Sequence, residues 1–386
     1  LICYSIVDLK EGTFFLAAKI LVAIIVMLFA IGFYAMFIEP RRLSEKHFLI
    51  RKDKSRVLDI SDAYDMFQNE GDIAVAHISD LHFSRWFKPR RLNKVINSLR
   101  ETRPDLIVFT GDLIDDYKKW PVKQTPALVD KLKRLQAPMG KIAVLGNHDY
   151  KSDGSYFVKE ILQKAGFTVL INEDVFGSDE KISLNVAGIA DPTTEKSQFY
   201  FEPTLAEWQI LLLHQPDYIN RIQNLDMYDL VLSGHSHGGQ IRFASFYPKT
   251  AGAKTYTESL YLPSENTLLS VNTGIGTTGL PLRFGVPPEI VYYHLSHKTE
   301  PFRKAENPFD FKALIEEEKS SKNQPAETQE KSGEPSTDPS APQPKTAPAQ
   351  PAITPDPTEP AVEPTDKVVD ISLFRRRYQD KKRTVS

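Results

Sequence analysis

Cysteine is almost absent from this sequence. Cys3 is the single one among 386 residues, so neither an intrachain disulfide framework nor a thiolate-based zinc or iron–sulfur site can form. Any bound metal must be held by nitrogen and oxygen ligands. An excess of charge is also missing. Lys plus Arg is 48 and Asp plus Glu is 50, a net charge of −2, and no overall basic field points to nucleic acid as a partner. A phosphate loop of the GK[ST] or GxGxxG kind is lacking too, since Thr273-Gly274-Ile275-Gly276 has no such continuation and reads as a turn. Apolar residues at 41% and charged residues at 25% are ordinary amounts, which allows a real core and excludes wholesale disorder.

The length suits one catalytic domain of roughly 200 to 250 residues with appendages. Ile20 to Ile38 is a run of nineteen residues without a charge, and it reaches back to Phe14 if Lys19 snorkels. That length predicts one transmembrane helix over residues 14–38. The chain does not begin with Met and Leu1 to Val7 are apolar, so a preceding segment is allowed. After the helix come Arg41, Arg42, Lys46, Arg51, Lys52, Lys54 and Arg56, against Lys10 alone before it. This asymmetry places the downstream chain on the cytoplasmic face and gives residues 39–71 the look of a basic juxtamembrane linker.

Residues 72–300 read as a compact α/β domain. Ile73–Ile78, Leu106–Phe109, Ile142–Leu145, Ile210–Leu213 and Leu230–Leu232 have the length and branching of buried strands. Leu92, Val95, Ile96 and Leu99, then Leu128, Leu132 and Leu135, follow helical spacing between the early ones. Leu184–Ala187, Leu268–Val271 and Ile290–Tyr293 come without a clear helix between them, which predicts a second, partly antiparallel sheet stacked on the first. Residues 301–320 read as a helical or linker segment. Residues 321–366 hold eleven of the 27 prolines and cannot form a core. The end, 367–386, joins Val368, Val369, Ile371, Leu373 and Phe374 to Arg375, Arg376, Arg377, Lys381, Lys382 and Arg383. It suits either an anionic membrane surface or a solvated tail of unknown partners.

Five of the strand runs end directly in metal-type ligands: Asp80-Leu81-His82, Gly111-Asp112, Gly146-Asn147-His148-Asp149, His214, and Gly234-His235-Ser236-His237. Carboxyl ends of strands are where such sheets build sites. One such motif alone is weak, because a lone His after a strand is more often a satisfied residue than a ligand. Five in one order, holding five of the nine histidines and with Gly beside three of them, are a constellation.

In wording and order the set resembles the calcineurin-like metallophosphoesterase superfamily over about residues 72–295. The resemblance implies two stacked mixed β-sheets flanked by helices and two divalent ions. Carried over by position, Asp80, His82, Asp112 and His237 would hold one ion, and Asp112, Asn147, His214 and His235 the other. It implies further that His148 faces the phosphoryl group while Asp149 orients its ring. The donor set agrees: four imidazoles, two carboxylates and an amide suit Mn²⁺ first, then Fe or Zn²⁺, better than Mg²⁺. Two cations sharing a carboxylate would acidify a bridging water for attack on phosphorus, and His148 would stabilise the growing charge or protonate the leaving oxygen.

Ser79-Asp80-Leu81-His82, His214-Gln215-Pro216-Asp217 and Ser233 to Ile241, with the apolar helix and Ile38-Glu39-Pro40 before them, are similar to the YkuE-type membrane-associated group. That group includes hydrolases of the pyrophosphate of UDP-2,3-diacylglucosamine, so a lipid-linked phosphoester substrate and contact with membrane lipids are expected. Ser236 stands where Thr is usual, and Ala190-Asp191-Pro192 where a paired acidic motif is common. A metallophosphoesterase for soluble nucleotides or phosphomonoesters shares the same ligands. A non-catalytic membrane scaffold would not need them. Arg85, Trp86, Lys88, Arg90 and Arg91 suit either substrate or membrane contact or a solvated helix start. His77, inside a strand, is expected to pack with a local partner.

Overall fold

The computed structural model describes residues 2–52, 57–67, 71–178, 182–243 and 246–297. The segments expected over 301–320, 321–366 and 367–386 lie outside the described residues. In chain order the strands are β1 (Ser44–Arg51), β2 (Val57–Asp59), β3 (Ile73–Ile78), β4 (Leu106–Phe109), β5 (Lys141–Ala143), β6 (Thr168–Val169), β7 (Glu173–Ser178), β8 (Ser183–Gly188), β9 (Trp208–Leu212), β10 (Leu230–Ser233), β11 (Ser259–Ser264), β12 (Thr267–Val271) and β13 (Glu289–Ser296). The α-helices are α1 (Ile2–Phe33), α2 (Tyr64–Phe67), α3 (Leu92–Thr102), α4 (Thr125–Lys133), α5 (Asn147–Tyr150) and α6 (Ser155–Lys164).

Two mixed sheets result, as the sequence predicts. One runs β2-β1-β13-β3-β4-β5-β6 and the other β11-β12-β10-β9-β8-β7. Alternation along the strands divides their side chains between two cores. Val75, Val108 and Tyr293 meet Val186, Ile210, Leu212 and Leu232 between the sheets. Ala76, Ile78, Ile107 and Phe109 turn the other way, onto Val95, Ile96 and Leu99 of α3, Leu128 and Leu132 of α4, and Val158, Ile161 and Leu162 of α6. The parallel pairs β3–β4, β4–β5 and β5–β6 are joined through these helices, the connection that parallel strands require.

Two features differ from the expectation. The Ile290–Tyr293 run lies in β13 of the first sheet, between β1 and β3, not in the second sheet. The stretch expected as a linker contains β1, paired in parallel with β13 over its whole length, and β2, antiparallel to β1. The reason is that part of its charge is paired or buried within the sheet: Lys46 Nζ lies 2.7 Å from Glu289 Oε2, and His47 and Arg51 are buried.

Before β1 stands α1, long and apolar enough to cross a membrane. Leu16, Ile20, Val22, Ile25, Leu28 and Phe29 are all exposed on it, an apolar surface that a soluble protein rarely leaves uncovered.

Candidate metal centre

The carboxyl ends of both sheets meet at one edge of the sandwich. There Asp80 and His82 follow β3, Asp112 follows β4, Asn147, His148 and Asp149 form α5 after β5, His214 follows β9, and His235 and His237 follow β10. Sharp turns bring these side chains inward. Asp80, His82, Asp112, His235 and His237 all have φ between 43° and 68°, the left-handed region that non-glycine residues enter at a cost of about 1–3 kcal/mol each. Glycine supplies the remaining room, since a Cβ on Gly234 would lie 2.0 Å from Ser79 Oγ and 2.3 Å from Asp80 Oδ2.

Three groups of donor atoms each fit within 4.8 Å: Asp80, His82 and His237; His82, Asp112 and His148; and Asp112, His214 and His235. Asp112 Oδ2 lies 3.4 Å from His82 Nε2 and 3.3 Å from His214 Nε2. Asp80 Oδ1 lies 3.7 Å from His82 Nε2 and 3.5 Å from His237 Nε2. His214 Nε2 lies 3.2 Å from Asn147 Oδ1, while its Nδ1 faces the Thr110 carbonyl at 2.6 Å. Such a carbonyl fixes the ring and leaves the other nitrogen for a ligand. All seven residues expected as ligands are thus brought to one place.

Comparison with known proteins gives this arrangement a family. The model of the Calcineurin-like phosphoesterase family matches residues 73–239, and a Bacillus subtilis protein, the uncharacterized metallophosphoesterase YkuE, is 33% identical over 68% of this chain and 88% of its own. The chain belongs to the calcineurin-like phosphoesterases. It is therefore a hydrolase. An uncharacterized metallophosphoesterase of Helicobacter pylori strain J99 is 30% identical over 59% of this chain, which spans 61% of that protein's length. The Chlamydia muridarum UDP-2,3-diacylglucosamine pyrophosphatase LpxG is 30% identical over 56% of this chain and 82% of its own.

The electrostatics of this phosphoesterase site fit a cation. Asp80 and Asp112 are buried, and burial by itself would raise their pKa values, yet His237 beside Asp80 and His214 beside Asp112 hold both below the ordinary carboxylate range. The carboxylates act back on the rings. Burial alone would lower His82 and His214, but Asp115, Asp80 and Asp112 push His82 up to about 9, and Asp112 foremost pushes His214 up to about 10. Burial keeps His235 and His237 below the ordinary value. Two buried carboxylates therefore draw positive charge into the pocket, carried without an ion by protons on His82 and His214 while His235 and His237 stay neutral, and the donor set suits a divalent transition ion in their place.

His148 differs from the others. Its side chain is 20% exposed, and its Nδ1 faces the Asp115 carbonyl at 2.8 Å and Asp115 Oδ1 at 3.4 Å. Burial would lower its pKa, but the Asp115 carboxylate outweighs it and raises the ring above the ordinary value. The ring is thus oriented by Asp115, not by Asp149 as expected. Asp149 is buried and accepts from the N–H groups of Asp112, Leu113, Ile114 and Gly146 at 2.8–3.2 Å. It clips the loop after β4 to α5, and burial followed by Asp112 pushes its pKa up to about 7.

Sequence reasoning missed two further residues. Asp115 could have been found, being a second carboxylate three positions after Asp112. Arg283 could not, since it lies alone in an apolar loop far along the chain. Its buried guanidinium donates to the carbonyls of Thr273, Gly274, Gly276 and Val286 and lies 3.3 Å from His237 Nδ1. His77 packs as expected, with Nδ1 at 3.1 Å from Tyr293 Oη and Nε2 at 2.8 Å from Thr110 Oγ1.

Proposed function

We propose that this phosphoesterase is anchored in a membrane by α1 and hydrolyses a phosphodiester or pyrophosphate bond of a lipid-linked substrate, UDP-2,3-diacylglucosamine being the first candidate. The observation that carries the reading is the convergence of four imidazoles and an amide on two buried carboxylates at the sandwich edge. The likeness to LpxG, a named UDP-2,3-diacylglucosamine pyrophosphatase, and the apolar surface of α1 support the lipid-linked choice. The basic residues that follow α1 favour the cytoplasmic face.

Asp80, His82, Asp112 and His237 would hold one divalent ion, and Asp112, Asn147, His214 and His235 a second, with Mn²⁺ the first choice. Such ions, when bound, supply water activation near neutral pH and charge neutralisation at the phosphoryl oxygens. The chain's own part is proton handling. Asp115 holds His148 by Nδ1 and keeps it charged to higher pH, so Nε2 is the atom that carries a proton to the scissile group. As the oxygen of the attacking water, its proton lost to solvent, bonds to phosphorus and the bond to the leaving oxygen breaks, the leaving oxygen takes the Nε2 proton, and His148 ends the step neutral with its remaining proton on Nδ1 against the Asp115 carbonyl.

The test is Mn²⁺-dependent release of UMP from UDP-2,3-diacylglucosamine by the detergent-solubilised full chain, with bis(p-nitrophenyl) phosphate as generic diester and Asp112→Ala as blank. UMP release well above the generic rate supports the reading. Turnover of the generic diester alone removes the lipid-linked substrate and keeps the hydrolase.

A further inference from the structure

The chain leaves α1 through a short turn at Glu39–Arg41, and a cavity of about 420 Å³ opens there, between this turn and the start of α3. Five cations line it: Arg41 from the turn, Lys88, Arg90 and Arg91 from the segment leading into α3, and Lys94 from the first turn of α3. Among the described residues no carboxylate forms an ion pair with any of the five. Glu39, the acid of the same turn, is buried and acts on Arg283 instead. Arg91 is half-buried, and burial first, then Arg41 and Arg90 beside it, holds it down at about 10. Apart from Asn93 the rest of the wall is apolar, with Leu43, Phe87 and Ile275.

The depth of this cavity relative to α1 is fixed by hydrogen bonds. The Arg283 N–H donates to the Ala35 carbonyl at 2.9 Å, and Arg91 and Lys94 donate to the carbonyls of Pro40 and Arg41. The ring of Tyr34 meets Phe284 edge-on at 6.2 Å. The cavity therefore sits at the level where the apolar helix gives way to polar chain, which is headgroup depth for a spanning helix. Trp86 on its wall is 66% exposed, and aromatic side chains of that kind favour the membrane interface. Trp86 also lines a second cavity, of about 220 Å³, whose wall includes Asp115, the partner of His148.

We propose that the cationic cavity between the end of α1 and α3 seats the phosphate headgroup of an anionic phospholipid of the surrounding bilayer, its glycerol and first acyl carbons lying against Leu43, Trp86 and Phe87. The proposal rests on α1 being a membrane span and is independent of which substrate the metal centre takes. The seated lipid fixes the tilt of the domain, so that the cavity beside Asp115 opens toward the bilayer surface, one side chain away.

The experiment titrates the full chain in dodecyl maltoside with dihexanoyl phosphatidylglycerol, dihexanoyl phosphatidylcholine or inorganic phosphate. The readout is tryptophan emission, because Trp120 and Trp208 are buried and Trp86 alone of the three is exposed. A saturable blue shift with phosphatidylglycerol is expected, absent with phosphatidylcholine at the same concentration and lost in Trp86→Phe. At about fivefold per basic residue near an anionic surface, Lys88→Gln with Arg90→Gln weakens it about 25-fold, while Lys88→Arg with Arg90→Lys retains it. Equal response to the two lipids, equal losses in the two double variants, or inorganic phosphate binding as tightly as phosphatidylglycerol overturns the proposal. No substrate is used, so this titration and the UMP assay fail separately.

Discussion

The most exacting test of the metal-centre geometry is Gly146→Ala. Gly146 has φ −99° and ψ 174°, a backbone that alanine adopts freely, so the substitution changes contacts alone. Its Cβ would fall 2.2 Å from Asp112 Oδ1, 2.6 Å from His214 Cε1 and 2.7 Å from the Asp112 N. Ordinary non-bonded separations are about 3.5–4.0 Å, so the Asp112 carboxylate would have to retreat by roughly 1 Å or more. It has little freedom to do so. Asp149 Oδ2 accepts from the Asp112 N at 2.8 Å and from the Gly146 N at 3.0 Å, which ties the two backbones together. Overpacking of this kind costs about 1–3 kcal/mol, and a misplacement of about 1 Å at a reacting centre costs roughly 10²-fold in rate. The expected result is a lower midpoint of denaturant unfolding, less than a full complement of bound Mn²⁺ by elemental analysis, and about 100-fold slower hydrolysis of bis(p-nitrophenyl) phosphate. Gly32→Ala is the control, because a Cβ there meets no atom within 4 Å. Wild-type turnover and metal content in Gly146→Ala would refute the claim that Asp112 is held against this turn.

Other outcomes follow from the same site and from the sheet behind it. His148→Asn should keep its metal and lose about 10²- to 10⁴-fold in turnover, the usual worth of an acid–base group; unchanged turnover removes His148 from the mechanism. Asp115→Asn removes the carboxylate that raises His148, so the alkaline limb of the pH–rate profile should move to lower pH, and a limb that stays in place would return the ring to some other partner. Dialysis against a chelator should abolish hydrolysis and lower the melting temperature, with Mn²⁺ restoring both; activity that survives chelation contradicts a metal centre. Away from the site, His47 Nδ1 and His294 Nε2 face each other at 3.1 Å. Burial, aided for His47 by His294, depresses both rings to about 4. The unfolded chain binds protons below pH 6.5 while the folded rings stay neutral, so stability should be full above that pH and fall toward pH 4. Between pH 7 and 5 the loss is at most about 2 kcal/mol for His294 and less for the more screened His47, and an unfolding midpoint that does not move over this interval would exclude it.

What was legible in the sequence was whatever depended on neighbours along the chain. The ligands stand at the ends of short apolar runs, and a strand followed by Gly, Asp or His states locally both where the chain is buried and where it turns. Asp80, His82, Asp112, Asn147, His214, His235 and His237 could therefore be picked out together. The α3 stripe of Leu92, Val95, Ile96 and Leu99 was local in the same sense. What failed to show depended on partners far away. Strand β13 lies between β1 and β3, and nothing in Ile290–Tyr293 announces which sheet it will join. Strand β1 was hidden by its charges, because Lys46 looks like linker until Glu289, more than two hundred residues on, stands beside it.

The same distinction accounts for Asp149 and Arg283. A motif carries over which residue stands at a position, but its role depends on what the fold places around it. Asp149 sits next to His148 in sequence, yet four backbone N–H groups, three of them from the loop after β4 and one from Gly146 of its own turn, reach its carboxylate first, and an acid so engaged cannot also steer the adjoining ring. Asp115 arrives from the loop after β4 and places its Oδ1 3.4 Å from both His148 Nδ1 and His82 Nδ1. Arg283 joins the site to the apolar N-terminal helix. Its guanidinium holds the loop at Thr273–Gly276 and lies beside His237, while its own N–H is bonded to the Ala35 carbonyl at the end of the apolar helix. One residue thus ties the end of the apolar helix to a metal-ligand candidate, and the candidate metal centre cannot shift relative to that helix without breaking this buried bond. An anchor joined by a long loose linker would let the domain tumble above the bilayer. Here the chain enters the sheet directly through β1 and is fastened at Arg283, so on the proposed membrane placement of α1 the height and tilt of the site would be set, as the proposed lipid-linked substrate requires.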